Sequence, residues 1–187
     1  MEVASLELLV REHAPVRRGH FLLSSGMHTP YYVELEAIVQ DPGLTATIGR
    51  AIAERFRDRQ PQAVLAVLGP DAILGYEVAR QIGARAIFAD GPPGGRTLRP
   101  RFHVKAGEGV LILIGVIVTG DSARGLMRLV AAARGQVTGV AVLVDRSSVP
   151  LQLGVPVEPL AVFDLDAYHT PVCPLCAEGQ PLERRLE

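Results

Sequence analysis

Val110–Ser122, VLILIGVIVTGDS, is the stretch that decides the fold. Eight of its first nine residues are apolar and many are β-branched. That fits a strand buried on both faces rather than one with a wet side. The apolar run ends at Thr119-Gly120-Asp121-Ser122, and a helical pattern follows from about Ser122 to Ala133. A strand that turns through a glycine into a helix is a common phosphate site in α/β proteins. The N–H groups of the first helical turn have no partner in their own helix and point at the anion. Thr119, Gly120, Asp121, Ser122 and Ala123 are therefore candidate ligand-binding residues. The plain alternative is a strand–helix connection capped by Thr119 or Asp121.

Similar units lie on either side. Ala63–Leu68 is a short apolar run followed by Gly69-Pro70-Asp71, and Leu74, Val78 and Ile82 then repeat at helical spacing until Gly83. Arg85–Ala89, Val137–Val144 and Val155–Val162 read as further strands. Asp41-Pro42 opens a helix whose core face is Leu44, Ile48, Ile52 and Phe56. Strands and helices alternate, which predicts an α/β fold with a mostly parallel central sheet and helices on both faces. At the N-terminus, Val3–Glu12 has helical spacing. Gly19–Ser24 and Tyr31–Leu35 read as two strands joined by a turn. With an irregular tail from Asp164, they would form a small hood. The expected organisation is one domain over 1–187, with the hood from about 15–36 and the tail 163–187.

The 187 residues include 48% apolar and 21% charged side chains, an ordinary balance for a domain with a sizeable core. Nineteen basic against 20 acidic residues give a net charge of −1, which argues against nucleic acid or an anionic membrane as partner. No apolar run is long enough to span a bilayer. The N-terminal stretch lacks the pattern of a secretion signal. The expectation is a cytoplasmic protein. Two cysteines, Cys173 and Cys176, are too few for a disulfide framework. As C-x-x-C they offer half of a four-ligand zinc site, with His169 as a third ligand. Free thiols or a redox pair are the alternatives.

Four stretches together resemble orotate phosphoribosyltransferases, which join orotate to ribose 5-phosphate taken from phosphoribosyl pyrophosphate. Gly19–Thr29, GHFLLSSGMHT, is similar to that family's GHFxLxSGxHS hood segment. Gly69-Pro70 with Tyr76–Arg80 resembles its pyrophosphate loop and helix. Val110–Ser122 resembles its phosphoribosyl-pyrophosphate signature, and Cys173–Cys176 the CPLC tail of a bacterial subgroup. The resemblance spans about Arg17 to Pro181. It implies a type I phosphoribosyltransferase fold with a hood, a homodimer, and Mg²⁺ if the enzyme is active. It places substrate at Gly69, Pro70, Asp71, Ser25, Gly26 and His28 as well as at Thr119–Ala123. Tyr31 would join the hood residues around a base.

The departures fall on the ligand sites. Ile114 and Gly115 stand where the family has two carboxylates for the ribose hydroxyls. Val118 replaces a threonine, and Asp121 replaces a glycine in the turn that receives phosphate. The segment after Gly69-Pro70 is shorter than the family's and lacks its glycine pair. Asp90-Gly91 stand where the family has a basic residue. No lysine lies between Asp90 and Val104, so Lys105, Arg96, Arg99 or Arg101 would have to serve in its place. Arg96, Arg99, Arg101, His103 and Lys105 are read as a basic cluster on an anion-binding lid or a solvated hairpin. Arg99, Arg101, His103 and Lys105 are the catalytic candidates.

The leading expectation is therefore a family member whose transferase activity is lost or much reduced. It would still bind a nucleotide, base or phosphate, as a regulatory or partner subunit. One alternative is an active transferase with Asp71, Asp90 and Asp121 around Mg²⁺. The other is a ligand-free structural dimer partner, which a closed or apolar cleft above Gly120, with Ile114 and Val116 filling it, would favour.

Overall fold

The computed structural model describes residues 3–92 and 94–184. Its central sheet is built from β3 (Ala63–Val67), β4 (Arg85–Asp90), β5 (Thr97–Leu98), β6 (Gly109–Ile117), β7 (Gln136–Asp145) and β8 (Val157–Val162). The strand order is β5-β4-β3-β6-β7-β8. All neighbours are parallel except β5, which runs antiparallel to β4.

Alternation along β6 divides the core into two layers. Leu111 and Leu113 pack on one face with α1 (Val3–His13), α2 (Glu36–Val39), α3 (Pro42–Phe56) and α4 (Pro70–Ile82). Val110, Ile112 and Ile114 pack on the other face with α5 (Asp121–Ala132), whose Ala123, Leu126 and Val130 are fully buried. The expected fold class, a mostly parallel sheet with helices on both faces, is what the chain adopts. The cap predicted for α3 also forms: Asp41 accepts from the N–H groups of Gly43 and Leu44 at 2.8 and 3.0 Å, and Pro42 is the first helical residue. Such a cap contributes about 1 kcal/mol.

The hood differs from the sequence reading. Its strands are β1 (Val16–Leu22) and β2 (His28–Val33), each starting about three residues earlier than expected. Val16, Arg17 and Arg18 carry no apolar alternation, because backbone pairing with Tyr31–Val33 rather than burial makes them a strand. The register shifts between Arg18 and Phe21, a bulge at Gly19 and His20 that re-aims the His20 side chain. Nor is the tail irregular throughout. It forms the short helix α6 (Pro174–Ala177) and a strand β9 (Glu183–Arg184) that adds in parallel to β1. Two charged residues give no strand signal, so only the backbone pairing reveals β9. Among the described residues, no helix is long and apolar enough to cross a membrane.

Candidate functional site

The carboxyl ends of β3, β4 and β6 meet under the hood, where open parallel sheets bind their ligands. A cleft there holds about 670 Å³, part of it open to solvent. Ser24 and Tyr32 of the hood form one wall. Gly69, Pro70 and Asp71 form the opposite edge, and Ile114, Val116 and Ser122 the floor. A shallower extension runs along Ser24, Ser25 and Val116–Ser122. The cleft is open, with an apolar floor and with Ser24, Asp71, Arg96 and Ser122 as polar groups on its lining.

At the β6–α5 junction, Gly120 takes a left-handed conformation, φ 80°, immediately before the helix. Any other L-residue would be strained there. Gly120 holds the cap position and offers no side chain, although the Asp121 N–H donates to Thr119 Oγ1 at a long 3.4 Å. The Thr119 hydroxyl donates to Asp121 Oδ2 at 2.7 Å, and Arg124 donates to Asp121 Oδ1 at 3.2 Å and to the Thr119 carbonyl at 2.8 Å. Asp121 is therefore an exposed carboxylate partly neutralised by its own helix. Ala123 is fully buried against the sheet and its side chain does not line the cleft.

The second junction is tighter. α4 begins directly at Pro70, so Asp71–Gly75 are helical turns and no loop remains to cradle a pyrophosphate. Asp71 leans over β6 and rests on Gly115. A Cβ placed on Gly115 would lie 2.3 Å from Asp71 Oδ1 and 2.2 Å from Leu35 Cδ1. Asp71 of α4 thus occupies the space that a side chain at position 115 would need, and the Gly115 backbone N–H donates to its carboxylate. Burial raises the Asp71 pKa to about 6, against the lowering effects of that hydrogen bond and of Arg96.

Arg96 is buried at 8% exposure and reaches the same cleft. Its Nη2 donates to Ser122 Oγ at 3.2 Å, while Nε and Nη1 have no hydrogen-bond partner among the described residues. Burial pulls the guanidinium below its ordinary pKa, and Asp71 opposes that shift. A buried cation with two unsatisfied donors, beside the start of a helix, is chemically suited to an anion.

The basic residues of the loop do not form one cluster. Arg99 pairs with Asp90 at 3.1 Å, away from the cleft. Arg101, with φ 73°, and His103 and Lys105 are exposed and do not line the cleft. The His103 carbonyl accepts from Arg85, and the Lys105 N–H donates to Glu108. Of these side chains only Arg96, just before β5, turns inward to line the cleft and reach Ser122. In the hood, Ser25 lines the extension, but Gly26 turns the chain with φ 81° and His28 is buried away from the cleft. Tyr32 faces the cleft and Tyr31 does not. Strand alternation from the observed register accounts for that exchange.

Asp71, Asp90 and Asp121 do not converge, so they do not fit a three-carboxylate Mg²⁺ site. Among the described residues, one group brings metal-ligating atoms together, and it is His20, His28, Cys173 and Cys176. His169 is exposed and outside it. His20 was missed by the sequence reading. Its signal was cross-strand: His20 and His28 flank one hairpin turn.

No family model matches the chain. Curated relatives do. An orotate phosphoribosyltransferase from Caldanaerobacter subterraneus is 40% identical over 167 residues, covering 89% of this chain and 88% of the relative. One from Thermus thermophilus is 37% identical over 177 residues, covering 94% and 96%. Among solved structures, Mycobacterium tuberculosis orotate phosphoribosyltransferase superposes with a TM-score of 0.65 at 25% identity, covering 86% of this chain and 96% of that one. Adenine phosphoribosyltransferase from Rhodothermus marinus gives 0.68 at 19% identity, covering 86% and 99%, a likeness of fold alone.

Proposed function

The chain belongs to the orotate phosphoribosyltransferase family, and from that premise we propose that it transfers a phosphoribosyl group to orotate with an altered set of site residues. In that reaction the bond from ribose C1 to pyrophosphate breaks and a C–N bond to the base forms. The observation that carries the proposal is Arg96, a buried guanidinium with two unsatisfied nitrogens beside Ser122 and Asp71. The start of α5, the Ser122 hydroxyl and Arg96 bind the phosphate end. Asp71 supplies the carboxylate for the ribose hydroxyls from α4 rather than from β6. Ser24 and Tyr32 close the hood side. The protein acts as a homodimer, as the family resemblance implies.

A second reading, ligand binding with little or no turnover, is favoured by two features. Ile114 and Gly115 leave β6 without a carboxylate, and no lysine lies between Asp90 and Val104. Preorganised charge supplies much of catalysis, and loss of one donor costs about 2.7–4 kcal/mol.

Orotate consumption, followed by absorbance with phosphoribosyl pyrophosphate and Mg²⁺, separates the two readings. Turnover in the wild type that is lost in Arg96→Met and Asp71→Asn supports transfer. Binding without turnover gives the second reading. Absence of both sinks the assignment of this cleft.

A further inference from the structure

We propose that His20, His28, Cys173 and Cys176 bind one zinc ion tetrahedrally and that this ion fastens the C-terminal tail to the hood. The four residues come from three separate segments: the β1 bulge, the start of β2, and the turn around α6. Their ligand atoms nevertheless all lie within 4.8 Å of one another.

The spacing fits a tetrahedron. Zinc–nitrogen bonds of about 2.05 Å and zinc–sulfur bonds of about 2.3 Å place neighbouring ligand atoms about 3.4 Å (N and N) and about 3.6 Å (N and S) apart. His20 Nε2 and His28 Nδ1 are 3.0 Å apart. Cys173 Sγ and Cys176 Sγ lie 3.6 and 3.7 Å from His20 Nε2, and Cys176 Sγ lies 3.2 Å from His28 Nδ1. These four separations are within about 0.4 Å of the tetrahedral values, and the remaining two pairs, Cys173 with His28 and with Cys176, lie within 4.8 Å.

The surroundings are those of a ligand set. His20 Nδ1 is 2.9 Å from the Gln180 carbonyl, which can only accept. That bond puts the ring proton on Nδ1 and turns the Nε2 lone pair inward, the usual support of a metal-bound histidine. His20, His28 and Cys173 are 3–4% exposed, whereas Cys176 is exposed and leaves a route for the ion. Two sulfurs and two imidazoles select a borderline-soft cation over Mg²⁺ or Ca²⁺. Two thiolates also balance its charge. The tail residues on either side pair with the hood: Tyr168 with His28, and β9 with β1. The metal would tie both contacts to the segment that leads into Ser24 and Ser25 at the cleft.

The assignment is independent of what the cleft binds, and it is tested on the full-length protein. Elemental analysis after expression with zinc should find about one equivalent per chain. Replacement by Co²⁺ should give intense visible d–d bands and a thiolate-to-cobalt charge-transfer band. His169→Ala should keep the metal and Cys176→Ser should lose it. Cys176→His, which preserves a ligand, should retain it. The cobalt spectrum of the wild type decides alone if the serine variant does not fold. Metal well below one equivalent with freely titrating thiols would overturn the proposal, as would a Cys173–Cys176 disulfide seen by intact mass.

Discussion

The two strand-to-helix junctions that frame the cleft each carry an aspartate in the first turn of the helix, and the two are in opposite situations. Asp121, at the β6–α5 junction, is exposed and bonded to Thr119 and Arg124. Asp71, at the β3–α4 junction, is packed on Gly115 with a pKa of about 6 and faces Arg96. Position in sequence suggests that Asp121 is the residue that disturbs a phosphate site. The packing assigns the larger electrostatic consequence to Asp71. A carboxylate balanced by a surface arginine changes little, whereas one buried against a glycine sets the chemistry around it.

Placing a carboxylate at 115 should break this arrangement most strongly. Gly115→Asp puts a side chain into atoms of Asp71 and Leu35 and should destabilise the fold by about 1–3 kcal/mol in urea denaturation. The double variant Gly115→Asp, Asp71→Gly should recover much of that loss, because the two positions share one space. If the penalties simply add, the spatial exchange is wrong.

The effect of Asp71 on stability depends on pH. Its folded pKa of about 6 lies above the unfolded value of about 3.9, so the folded state holds this proton more tightly. Stability contributed by the neutral form is complete below about pH 4 and is lost as pH rises through about 6. Asp71→Asn should therefore stabilise the protein above pH 7 and have no effect below about pH 4. The gain should be about 1–2 kcal/mol, less than the full shift implies because Asp71 keeps some contact with solvent. Denaturation curves across that range check both the size and the sign.

Asp121→Asn should have the smallest effect. An exposed pair with Arg124 contributes about 0.5 kcal/mol or less, so thermal stability should hardly change. Phosphate affinity should stay the same or rise slightly by calorimetry, since a like charge is removed from the helix start. A loss of binding would restore Asp121 to the ligand set.

Much of the frame was legible in the sequence. The continuous apolar runs and the helical apolar spacing reflect burial, and burial governs β3, β6, α3 and α5. The Asp41-Pro42 cap was legible because it is local. The site was legible only in part. Gly69, Pro70, Asp71, Thr119 and Ser122 follow their strands into the cleft, as strand ends must. Arg96 was one of several arginines in a loop, and nothing local marks the one that turns inward. The Gly115–Asp71 contact joins residues 44 positions apart, so no window of sequence contains it. His20 and His28 were hidden by a bulge, and His169 looked closer to the cysteines only along the chain.

The central claim is that the cleft binds a phosphoribosyl ligand through Arg96. The most direct measurement is a calorimetric titration of phosphoribosyl pyrophosphate into the wild type and into Arg96→Met, at the same pH and salt. The account predicts measurable binding that weakens by about 10- to 100-fold in the variant, the worth of a charge-assisted hydrogen bond in a buried site. Equal affinities in the two proteins, or no binding to the wild type, would contradict it.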